Sequence, residues 1–100
     1  MVLEIQLKRG DTFHKIETMV RFPMELDLGP YMAIDKAKPR AVNYSLHAVI
    51  NHISHPHKHY TVYVKVNSNW YLFDDEEPPQ RVKAENVVSH LSYILMYIRQ

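Results

Sequence analysis

The sequence predicts an α+β domain that is mostly β, with long strands in an antiparallel or mixed sheet and one short helix. Three observations lead there. "VLEIQLKR" and "NYSLHAVINHIS" alternate residue character with the period of two expected of half-buried strands. "HYTVYVKV" and "NWYLFDD" are rich in β-branched and aromatic residues and are joined by the turn formers Asn67 and Ser68, the pattern of a hairpin. A single segment, "RVKAENVVSH", reads as a short helix.

Taken in order, the first strand sets Leu3, Ile5 and Leu7 toward the core, and Gly10-Asp11 breaks it. "FHKIETMVRF" offers a second extended run that Pro23 stops, so a strand pair is expected. "PMELDLGPYM", bracketed by Pro23 and Pro30, reads as a loop or single helical turn pinned by Leu26 and Leu28, and "AIDKAKPRAV" as a flexible connection. A long strand follows over "NYSLHAVINHIS", with Tyr44, Leu46, Ala48 and Ile50 on one side. After the hairpin, "EEPPQ" is a loop kept extended by its prolines, and "LSYILMYIRQ" is a final buried strand.

At 100 residues the chain is one domain at most, with a modest core. Its net charge of +1 gives no general pull toward nucleic acid or anionic membrane. No run approaches the roughly 18 apolar residues of a membrane span, and charges at Glu4, Lys8 and Arg9 are unlike a signal peptide, so an intracellular protein of cytoplasm or nucleus is expected. There is no cysteine, which excludes disulfides, thiolate zinc sites and a cysteine nucleophile from this chain.

The chemistry concentrates at "HISHPHKHY", where His52, His55, His57 and His59 lead into a strand. A hairpin turn centred on Val66 and Asn67 sets His59 opposite Asp74; a turn shifted by one residue sets it opposite Glu76 with Asp74 on the diagonal. Either register leaves the imidazole and a carboxylate on one face, where opposed Cβ atoms lie about 4.5 to 5.5 Å apart. Such a pair is commonly a surface ion pair, and it is also the arrangement in which an acid orients a catalytic base. Alternate histidines at 55, 57 and 59 could converge on zinc, but Pro56 breaks the strand geometry and no second element supplies ligands, so no metal site is expected. No serine sits in a glycine-flanked elbow, and the tyrosines with Trp70 read as sheet packing.

Six segments in order, "VLEIQLKR", "VRFPMELDLGPYM", "YSLHAVINHIS", "KHYTVYVKV", "NWYLFDD" and "SYILMYIRQ", resemble the C-terminal half of the ubiquitin-specific protease catalytic domain over almost the whole chain. The resemblance implies the palm portion of a papain-like thiol protease of fingers, palm and thumb, so that residues 1–100 form one partial domain with thumb and fingers absent. It implies that His59 is the general base and Asp74 its orienting acid in cleavage after the C-terminal glycine of ubiquitin. It also implies that His57, Lys58, Tyr60 and Asp75 border the ubiquitin-tail cleft. Lys58 stands where the family has glycine, and Gly10 where it has phenylalanine after "LKR". The family's nucleophilic cysteine belongs to the thumb, so this chain is expected to be inactive alone, with no cofactor, and to partner ubiquitin and a thumb segment, not nucleic acid or membrane. The alternatives are a non-catalytic ubiquitin-binding module and a His-rich metal-binding β domain. Without a thumb, apolar surface from Leu3, Ile5, Leu7 or Tyr97 is expected to be exposed and to drive aggregation or dimerisation.

Overall fold

A computed structural model describes residues 2–7, 19–29, 42–53 and 58–100. Seven strands make one sheet: β1 (Val2–Gln6), β2 (Glu25–Asp27), β3 (Asn43–Ile53), β4 (His59–Val66), β5 (Asn69–Phe73), β6 (Gln80–Val82) and β7 (Ser92–Arg99). The order is β1-β7-β3-β4-β5-β6, with β2 added beside β3, and every pairing is antiparallel. The long alternating strands expected from the sequence are β1, β3, β4, β5 and β7. Gly10-Asp11, residues 13–18 of the expected second run, and 33–41 of the connection lie outside the described residues; residues 19–23 form no strand.

Two strands and the turn differ from expectation. Where a loop or helical turn was expected, β2 pairs Glu25 with Ser45 and Asp27 with Asn43. Its ladder is extended by Leu46 N donating to Met24 O (2.8 Å) and Leu28 N to Val42 O (2.9 Å). The Asp27 carboxylate ends it by accepting from Gly29 N (2.8 Å) and Val42 N (2.9 Å), and these bonds hold its pKa below the usual carboxylate value. The expected helix over "RVKAENVVSH" is one 3-10 turn, Ala84–Asn86, placed after strand β6, and it delivers the fully buried Val87 to the core. In the hairpin, Val66 pairs with Asn69, so the turn centres on Asn67 (φ 50°) and Ser68 (φ 68°). Two successive positive φ angles make the primed turn whose twist suits the flanking strands.

The core lies on one face of the sheet. Leu46, Val49, Leu95, Tyr97 and Trp70 are buried there beneath Val42, Phe22, Met24, Leu28 and Val87. Leu3 and Ile5 pack against this cluster, and Tyr97 is 1% exposed with its hydroxyl donating to Pro23 O (2.8 Å). The expectation that Leu3, Ile5 or Tyr97 exposes apolar surface is therefore corrected: residues 22–28 cover that face. Two register shifts, between Leu46 and Ala48 and between Ile50 and Asn51, explain why Val49 and Asn51 are buried while Ile50 is not. The shift at His47 moves Ala48 and Ile50 to the opposite face from Leu46. That second face carries the row Gln6–Ile94–Ile50–Val62–Phe73, each neighbour directly paired across the sheet.

Candidate active site

His59 is the first residue of β4 and Asp74 directly follows β5, so the hairpin alone brings them together. The observed register is the shifted one: extended beyond the last pair, Val62 with Phe73, it carries Asp74 onto the diagonal of His59. His59 Nε2 lies 2.6 Å from Asp74 Oδ1, the length of a charge-assisted bond. The chain then turns at 74–77, closed by Glu77 N donating to Asp74 O (3.0 Å), with Asp75 at φ 49°. This swings the Asp75 carboxylate to the other side of the ring, 3.6 Å from Nδ1. The imidazole stands between two carboxylates at the wall of an open cleft lined by His59, Asp74, Asp75, Glu76 and Glu77.

The remaining expected residues separate. Tyr60 points to the opposite face from His59, as successive strand residues do, and stacks on His52 at 4.7 Å, with Tyr93 completing an aromatic cluster. Lys58 is exposed beside the strand entrance. His57, like His55, lies outside the described residues. His52 and His59 belong to opposite faces, because His52 pairs with Tyr60 and Ile53 with His59. They do not converge as ligands of one ion. Among the described residues, the donors grouped closely enough for an ion are those of His59, Asp74 and Asp75, within 4.8 Å of one another.

Sequence reasoning missed a buried polar pair on the face that carries His59. Thr61 lies on the same face as His59 and accepts from Asn51 Nδ2 (3.1 Å), and both are buried. Their signal was a cross-strand pairing, Asn51 with Thr61, that a single strand's periodicity does not display. Glu76 and Glu77, part of the loop expected over "EEPPQ", also line the cleft beside His59.

Residues 1–97 match the family model described as "Ubiquitin carboxyl-terminal hydrolase". The chain belongs to the ubiquitin carboxyl-terminal hydrolase family. It is 39% identical over 105 residues to Ubiquitin carboxyl-terminal hydrolase 19 of Arabidopsis thaliana, covering 98% of this chain and 15% of that protein. It is 38% identical over 107 residues to Ubiquitin carboxyl-terminal hydrolase 12 of Saccharomyces cerevisiae, covering 99% of this chain and 8% of that protein. Among solved structures, the SAGA Ubp8/Sgf11/Sus1/Sgf73 DUB module bound to ubiquitin aldehyde superposes with a TM-score of 0.84 at 23% identity, over 99% of this chain and 24% of that one. That likeness shows the fold. The mostly β architecture expected from the sequence is thus the fold this chain shares with that structure. This hydrolase family chain spans a small fraction of its curated relatives' length, and it has no cysteine.

Proposed function

We propose that this chain supplies the base half of a cysteine-type deubiquitinating site, as one partial domain that needs a thiol from another segment. The observation that carries the reading is the 2.6 Å contact between His59 Nε2 and Asp74 Oδ1. An Nε2–H donated to Asp74 fixes the tautomer and leaves the Nδ1 lone pair as the acceptor. Nδ1 then takes the proton of a cysteine thiol, and the thiolate attacks the carbonyl carbon at the C-terminus of ubiquitin. The imidazolium returns that proton to the leaving amine as its bond to carbon breaks, giving a thioester. Water, deprotonated by the same nitrogen, hydrolyses the thioester and releases the carboxylate and the thiol. Lys58 and Asp75, beside His59, border the approach of the ubiquitin tail in this reading, whereas Tyr60 lies on the opposite face. Ubiquitin is supported as the substrate by the family and by the ubiquitin aldehyde in the Ubp8 module.

Fluorogenic ubiquitin hydrolysis tests this. The chain alone should show no turnover. Addition of a thumb segment bearing the cysteine of a relative should produce turnover, and His59→Gln should lower it by about 10²- to 10⁴-fold, the usual range for a lost general base. Turnover by the chain alone, or reconstituted turnover indifferent to His59, would sink the reading. A second reading, a non-catalytic ubiquitin-binding module, is favoured by the 53% exposure of Tyr60 in its aromatic cluster. Amide shifts in ubiquitin on titration with the chain, unaffected by His59→Gln, would favour it; no shifts would end it.

A further inference from the structure

The imidazole of His59 has a carboxylate at each nitrogen, and the two stand at different distances from it. Nε2 and Asp74 Oδ1 are 2.6 Å apart, whereas Nδ1 and Asp75 Oδ2 are 3.6 Å apart. These lengths assign different roles. Two donors that share a tetrahedral zinc ion, with bonds of about 2.0–2.2 Å, lie about 3.4 Å from one another. The His59–Asp75 separation is close to that span, while the His59–Asp74 separation is that of a hydrogen bond and is too short for two ligands of one ion. Metal-ligating histidines as a rule donate the other ring N–H to a carboxylate, which fixes the tautomer and makes the ligating nitrogen more basic. Asp74 stands in that position. Glu76 and Glu77 line the same cleft and add two carboxylates to a cation's surroundings.

We infer that His59 Nδ1 and Asp75 Oδ2 are the two anchoring ligands of a zinc site, with Asp74 orienting the ring from its other side and water or a cleft glutamate completing the coordination. The donor set decides the class of cation. Mg²⁺ and Ca²⁺ favour shells made of oxygen alone, and an imidazole nitrogen among carboxylates turns the preference to zinc. The alternating histidines at 55, 57 and 59 lacked ligands from a second element; this set shares only His59 with them and takes Asp75 from across the hairpin. Both ligands belong to one locally closed hairpin, so the site depends on no other part of the chain. Its consequence for hydrolysis rests on the reading of His59 as a base: the ion occupies the Nδ1 lone pair that would take the thiol proton, and so blocks the base.

Calorimetric titration of the whole chain with Zn²⁺ at neutral pH, repeated with Mg²⁺, tests the site. One zinc should bind through it, far more tightly than magnesium, and the ¹⁵N resonance of His59 Nδ1 should shift while Nε2 keeps its proton. His59→Gln and Asp75→Asn should each weaken zinc binding by about tenfold or more, and Asp74→Ala by about 10- to 100-fold, the usual effect of losing a carboxylate behind a ligating histidine. His90→Gln, at an exposed histidine outside the cleft, should leave binding unchanged. Circular dichroism of each variant establishes that the sheet is intact. Zinc binding indifferent to His59→Gln or to Asp75→Asn overturns the inference, as does magnesium binding of equal strength or no binding at all. Neither thumb nor ubiquitin enters this titration, so its failure leaves the base reading standing, and failure of the fluorogenic assay leaves the zinc result standing.

Discussion

The two ring nitrogens of His59 face different atoms: Nε2 lies 2.6 Å from Asp74 Oδ1, and Nδ1 lies 3.6 Å from Asp75 Oδ2. On the proposed reading, orientation more than charge is what Asp74 provides, and an amide oxygen can accept the same Nε2–H. In a thumb-reconstituted enzyme Asp74→Asn should therefore keep turnover within about tenfold, while Asp74→Ala, which frees the ring, should lose about a hundredfold. Equal losses in fluorogenic ubiquitin hydrolysis would show that the negative charge itself matters. Among the described residues, Asp27, Tyr63 and Tyr97 have pKa values displaced by folding, Asp27 downward by its backbone bonds and both tyrosines upward by burial. The backbone bonds from Gly29 and Val42 lower the pKa of Asp27, so their stabilisation is present above its unfolded pKa and is lost as pH falls through the folded value. Burial raises the pKa of Tyr97, so its contribution is intact below about pH 10 and is lost as pH rises beyond it. Thermal melts should fall at both extremes; Asp27→Asn should flatten the acid limb and Tyr97→Phe the alkaline one. A melting profile unchanged by both substitutions would remove these groups from the pH dependence.

At the scale of elements, the hairpin positions the dyad and its turn carries a removable cost. Ser68 sits at φ 68°, a region that costs a residue with a side chain about 1 kcal/mol. Ser68→Gly should stabilise the fold by about 0.5–1 kcal/mol in urea unfolding; Asn67→Val, β-branched at φ 50°, should destabilise it. The strands β1, β3, β4, β5 and β7 were legible because each alternates or is rich in β-branched and aromatic residues over five or more positions. β2 and β6 were not. Each has three residues and exists because a neighbouring strand offers a free edge, a fact about pairing that no short segment contains. Met24, Leu26 and Leu28 did alternate with Glu25 and Asp27, but Pro23 and Pro30 favoured a loop. The bulges in β3 were hidden for the same reason. Alternation predicted Ala48 and Ile50 on the side of Leu46, whereas pairing to β7 shifts the register at His47. The meeting of His59 with Asp74 was legible because a hairpin is short enough for one sequence to fix which residues meet, to within one position of the turn.

For the whole molecule, the described residues outside the sheet pack over one of its faces. The covered face holds Leu46, Val49 and Tyr97, so Leu46→Ala, at 1% exposure, should cost about 3 kcal/mol in chemical unfolding. A loss below about 1 kcal/mol would mean that the core under residues 22–28 is looser than its burial indicates. Most of the dyad's geometry, by contrast, is indifferent to that core. His59 and Asp74 are fifteen positions apart along the chain and are joined by a hairpin that closes locally. Such a piece forms fast and asks little of distant sequence. His59 and Asp74 are consequently carried as a unit: any stretch of chain that includes this hairpin brings both, already in register.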